Sequence, residues 1–72
     1  MARLRALSGR EACEILAGHG FAEVRRRSSH VIMQKVESGS TITVPVPDHK
    51  ELKMGTLMSI IRQSRLPRVV FE

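Results

Sequence analysis

Hydrophobic positions along the 72 residues switch period twice, from helical to alternating and back. Ala12, Ile15, Leu16 and then His19 recur at helical spacing and predict a first helix from about Gly9 to Gly18. Ser8-Gly9-Arg10-Glu11 has the form of a capping box, with Ser8 as N-cap and Glu11 reaching back. Gly18 and Gly20 end the run, and Gly20 is the better candidate for the left-handed position after the helix. Phe21 to Arg27 then reads as a strand of modest propensity, and Ser28-Ser29 as a short turn. His30 to Val36, rich in β-branched residues, is a second strand. Glu37-Ser38-Gly39-Ser40 forms a hairpin loop with glycine to supply positive φ. Thr41 to Val46 alternates cleanly, with Ile42, Val44 and Val46 on one side and the threonines on the other. Pro45 marks an edge or a strand end. After the polar connection Pro47 to Glu51, helical spacing returns at Leu57, Ile60, Ile61 and Ser64. A second helix is predicted from about Met54 to Arg65, with Leu52 stapling its entry and Pro67 breaking it. Arg68 to Glu72 is too short to assign; a last helical turn is one reading.

Helix, three strands, helix is therefore the expected order, in one domain over residues 1–72. Hairpin connections make the sheet antiparallel, and two helices covering one face give a two-layer α+β fold. If Val31 and Met33 face the core, His30, Ile32 and Gln34 face the other side, and that phase is preferred. Alternation places Arg25 and Arg27 on one side of their strand and Arg26 on the other.

Composition narrows the partners. Lys and Arg number 12 against 7 Asp and Glu, a net charge of +5, which favours a polyanion. No apolar run approaches the roughly 18 residues of a membrane span, so no membrane association is expected. Met1 to Leu7 has no apolar segment behind Arg3 and Arg5 and does not read as a signal peptide. Cys13 is the single cysteine, so no internal disulfide forms, and with His19 and His49 it lacks metal-ligand spacing. No metal or cofactor is expected. Phe21 and Phe71 are the sole aromatics, which counts against binding by base stacking.

The chemistry concentrates in Arg25-Arg26-Arg27-Ser28-Ser29-His30. Arginine grips phosphate through a rigid fork of donors, and histidine exchanges protons near neutrality. A histidine opening a strand is commonly a plain surface residue, and an arginine run commonly a solvated edge. The excess of positive charge moves the balance towards nucleic-acid contact. Lys50 and Lys53 flank the start of the second helix, where free N–H groups also favour phosphate. His49 reads as a loop residue, His19 as a helix-end residue, and Met33, Met54 and Met58 as packing.

In order and spacing, several stretches resemble the HicA-type toxins, ribonucleases encoded beside a HicB antitoxin. They are Gly20-Phe21, Val24-Arg25, Arg27-Ser28-Ser29-His30, Thr43-Val44-Pro45-Val46, Lys50-Glu51-Leu52-Lys53, Gly55-Thr56-Leu57 and Ile60-Ile61-Arg62-Gln63. The resemblance implies an α-β-β-β-α fold like a double-stranded-RNA-binding domain. It implies a metal-independent endoribonuclease that cleaves mRNA and blocks translation, cytoplasmic, monomeric when free, and neutralised by a HicB-like antitoxin. His30 falls on the family's catalytic histidine; the residues' own chemistry adds Arg25, Arg26, Arg27, Ser29, Lys50 and Lys53 as expected RNA or phosphate contacts. The alternative is a non-catalytic RNA-binding module of the same fold. Ser28 stands where the family usually has glycine; if the turn needs positive φ, serine bears a conformational cost that glycine would not. The tail after Leu66 is shorter and more apolar than the family's usual helical, acidic ending.

Overall fold

The computed structural model describes residues 4–72, so part of the Met1 to Leu7 reading lies outside the described residues. Its elements are α1 (Gly9–Gly18), β1 (Ala22–Arg27), β2 (His30–Glu37), β3 (Ser40–Pro47), α2 (Met54–Ser64) and a 3-10 turn (Arg68–Phe71). The strands form one antiparallel sheet in the order β1-β2-β3. Both helices pack on one face of it, the expected α+β arrangement with one face open.

The capping box of α1 is complete. The Glu11 N–H donates to Ser8 Oγ at 3.0 Å, and the Ser8 N–H donates to the Glu11 carboxylate at 2.9 Å. That backbone hydrogen bond is the main reason the Glu11 carboxyl is held below its ordinary pKa. Gly20 closes the helix end with φ +96°, the left-handed position expected of it.

The turns set the sheet. Arg27 pairs with His30 and Glu37 with Ser40, so both hairpins close on two residues. Ser38 and Gly39 both take positive φ, the I′ pattern that suits strand twist. Ser28 alone carries the positive φ of its turn, at 52°, as in II′ turns that favour glycine there. The cost anticipated for serine at this position is therefore present.

Val31 and Met33 on β2 face Val46 and Val44 on β3, and all four are buried under the helices. Leu7, Ala12, Leu16, Phe21, Ile42, Leu52, Leu57, Ile60 and Ile61 complete most of this core. Phe71 joins it fully buried, because the 3-10 turn folds the tail back onto α1. Two packing expectations fail. Met54 and Met58 are 52% and 41% exposed, because they lie on the flank of α2 turned away from Leu57 and Ile60. The helix also stops one residue early: Arg65 takes a left-handed cap, while the buried Ser64 hydroxyl donates to Ile61 O and accepts from the Leu66 N–H.

One glycine joins the two layers. The Gly9 N–H donates to His49 O at 2.8 Å, and a Cβ there would collide with the Pro47 carbonyl oxygen. Gly9→Ala is expected to lose about 1–3 kcal/mol of stability, as overpacked sites do. Ser28→Gly is expected to gain about 1 kcal/mol by relieving the left-handed serine. Urea unfolding of each variant checks both values.

Candidate nucleic-acid interface

Register carries the arginines onto the open face. Arg27 pairs with His30, Arg26 with Val31 and Arg25 with Ile32, but Glu23 already pairs with Met33. Val24 is thus an extra residue, a β-bulge. Unbroken alternation from Glu23 would put Arg25 and Arg27 beneath the helices and Arg26 on the open face. The bulge inverts that phase, so Arg25 and Arg27 share the open face with His30.

Across this face the strands form rows. Arg27, His30 and Pro47 make one, and Arg25, Ile32 and Pro45 the next. Ala22, Gln34 and Thr43 follow, with the Gln34 amide donating to Thr43 Oγ1 at 3.2 Å. Directly opposed residues have Cβ atoms roughly 4.5–5.5 Å apart and diagonal ones roughly 7–8 Å, so both arginines lie within reach of the histidine. His30, Arg25 and Arg27 are exposed, whereas Ile32 is only 8% exposed among its neighbours. Among the described residues the ion pairs are Arg10–Glu14, Arg26–Asp48, Lys35–Glu37 and Arg68–Glu72. Neither Arg25 nor Arg27 takes part in one, so their charge is available to a ligand.

The remaining residues expected at the site are placed apart from this row. Arg26 projects on the helix side, where its guanidinium donates to Asp48 Oδ2 at 2.8 Å. That hydrogen bond, with the charge of Asp48, holds Arg26 still more firmly protonated than usual. Ser29 sits exposed in the turn, and its carbonyl accepts the Asp48 N–H at 2.7 Å. Lys50 and Lys53 are exposed on the connector to α2, which backbone bonds from Gly9 to His49 and from Leu52 to Leu7 tie to the start of α1. Among the described residues, no hydrogen bond or ion pair brings either lysine to His30.

Asp48, Gln34 and Pro47 were not foreseen as site neighbours. With the hairpin read as a four-residue loop, the pairing of β3 was undetermined. A two-residue turn at Ser38-Gly39 would have put Pro47 opposite His30 and Asp48 opposite Ser29.

A cavity of about 350 Å³ lies on the other side of the sheet, between α1 and β1, lined by Arg10, Cys13, Glu23, Arg26, Val31 and Asp48. Burial pushes the Cys13 thiol up, and the Glu23 and Asp48 carboxylates push the same way. Among the described residues no three His, Cys, Asp or Glu side chains converge as a metal site, and no helix is long and apolar enough to cross a membrane.

The fold is a small α+β domain whose uncovered sheet face carries a histidine beside one arginine and diagonal to a second, neither of them in an ion pair among the described residues. The family model described as "HicA toxin of bacterial toxin-antitoxin" matches residues 9–66, and the chain belongs to that family. It is the toxin of a toxin–antitoxin system, with a cognate antitoxin as partner. No curated protein and no solved structure gives a significant match.

The raised thiol pKa has a direct readout. Cys13 is expected to react with a thiol-specific disulfide reagent more slowly at pH 7 than a free cysteine, and to reach the ordinary rate in concentrated urea.

Proposed function

We propose that this toxin is a metal-independent endoribonuclease that cleaves mRNA and so blocks translation. The observation that carries the reading is the row in which His30 stands exposed beside Arg27 and diagonal to Arg25, with neither arginine neutralised. RNA brings its own nucleophile. His30, acting as general base, takes the proton of a 2′-hydroxyl; the 2′-oxygen attacks the adjacent phosphorus; the P–O5′ bond breaks. The products are a 2′,3′-cyclic phosphate and a 5′-hydroxyl, the leaving oxygen receiving its proton from water or from His30 in its protonated form. Arg25 and Arg27 stabilise the charge that builds on the phosphoryl oxygens, often the largest catalytic contribution. Ser29, in the turn that precedes His30, and Lys50 and Lys53, along the connector, extend the phosphate contacts beyond that row.

A HicB-like antitoxin neutralises the toxin by covering His30 and the basic row. The free chain is a cytoplasmic monomer. Its β3 edge supports the monomeric state: hairpin parity turns the backbone of Thr41, Thr43, Pro45 and Pro47 outward, and the two prolines have no N–H to offer another strand. β1, the opposite edge, is guarded by charge.

His30→Ala is expected to lower cleavage of bulk mRNA in EDTA by roughly 10²–10⁴-fold, with the fold intact by circular dichroism. Arg25→Ala and Arg27→Ala are each expected to reduce the slope of log K against log salt for RNA binding by about 1. Wild-type turnover by the His30 variant sinks the reading. RNA bound tightly by the wild type but recovered at full length supports the non-catalytic binding module instead.

A further inference from the structure

We propose that Asp48, tied to Arg26, is a positioning residue that fixes the His30 turn for cleavage; this deepens the ribonuclease reading and rests on it. His30 is the first residue of β2, directly after a turn whose Ser28 is held in a left-handed conformation that serine disfavours. No hydrogen bond among the described residues orients its ring. Its position follows from how firmly the turn is held.

Asp48 holds that turn from two directions. Its N–H donates to Ser29 O at 2.7 Å, which carries the β2–β3 ladder one step past Pro47 and onto the turn itself. Its carboxylate accepts from Arg26 Nη1 at 2.8 Å, reaching across β2 to β1 on the helix side. One residue therefore ties together the end of β3, the turn and the far strand. The next residue is fixed as well, because His49 O accepts the Gly9 N–H at 2.8 Å. The ion pair is half exposed at both ends, 50% and 42%, and such pairs add little to global stability. A pair that is cheap to lose for the fold and sits behind the proposed catalytic turn is suited to placing His30 rather than to holding the domain together.

Loss of the Asp48 carboxylate acts on cleavage with the opposite sign to simple electrostatics. Removing Asp48 raises the net charge from +5 to +6, one acidic group fewer on a chain proposed to bind RNA. Charge alone would then strengthen RNA binding and leave cleavage unchanged or faster. A turn left loose instead lowers cleavage. Arg26 divides in the same way. Were it a phosphate ligand, its loss would reduce the salt slope of binding by about 1; as the clamp's other half, its loss leaves that slope alone.

The experiment compares wild type, Asp48→Asn, Arg26→Gln, the swapped pair Arg26→Asp with Asp48→Arg, and His30→Ala. Cleavage is measured on bulk mRNA at saturation, and binding on a 2′-O-methylated RNA oligonucleotide that cannot be cut. Thermal melting and the His30 ring resonances in NMR complete the set. Asp48→Asn and Arg26→Gln are expected to lower kcat by about 10²-fold, the scale of a misplaced catalytic group. Their binding and salt slope stay near wild type, melting changes little, and the His30 resonances shift. The swapped pair recovers much of the lost rate. Wild-type kcat in Asp48→Asn, with His30→Ala inactive, overturns the clamp and spares the ribonuclease reading. So does a reduced salt slope in Arg26→Gln. Full activity in His30→Ala overturns both.

Discussion

Two tight turns govern this sheet, because a strand's side chains alternate and a slip of one residue exchanges its faces. Closing β2 and β3 on Ser38 and Gly39 sends Val31, Met33, Val44 and Val46 under the helices and His30, Gln34 and Thr43 outward. Closing β1 and β2 on Ser28 and Ser29 sets Arg27 against His30. The bulge at Val24 is the third setting. It lets β1 keep Glu23 over Met33 at one end while presenting Arg25 and Arg27 to solvent at the other. Hydrophobic burial alone would not choose this arrangement, since all six β1 residues are exposed. The choice lies in backbone geometry, and its product is the charged face.

The helical layer supports that face without contributing to it. A chain of this size buries only about 60% of the surface its unfolded form exposes, so little is spare. Cover is concentrated where α2 lies along β3, and Phe71 plugs the layer from the tail. Lys35 bridges the remaining gap at one end: its stem reaches Phe21, with Nζ 5.9 Å from the ring centre, and its ammonium meets Glu37 at 3.2 Å. The basic row and the core thus share strands but not side chains. A toxin can tolerate exposed, mutually repelling arginines only if their strand is held by other contacts.

Much of this was legible in the chain. Helical spacing, the Ser8–Glu11 box and Gly20 delimited α1 because each is a local signal with a local cause. The clean alternation of β3 gave its buried face, and the preferred phase of β2 is the one found. Arg25 and Arg27 do share a side, and Arg26 opposes them, but pattern alone could not say which side was which. A bulge costs one unpaired residue and leaves no compositional mark in a sequence such as Glu-Val-Arg. Phe71 was missed because four residues are too few for periodicity, so its burial depends on a partner surface that only the folded layer supplies. The methionines of α2 misled for a related reason: an unbranched apolar side chain fits a core or a flank equally well. Asp48 escaped notice because an acid after a strand end reads as solvated loop until its partner 22 positions away is known.

The prolines of β3 have a wider meaning wherever copies of the chain crowd together. A half-exposed sheet on so small a body invites neighbouring chains to stack edge upon edge into fibrils, above all while copies accumulate during synthesis. At Pro45 and Pro47 the ladder has no rungs to extend, and the ring at each position keeps an approaching backbone at a distance. Resistance to self-templated growth is thereby written into the same strand that frames the histidine, so a substitution that improved one edge for recognition would also reopen a route to insoluble polymer.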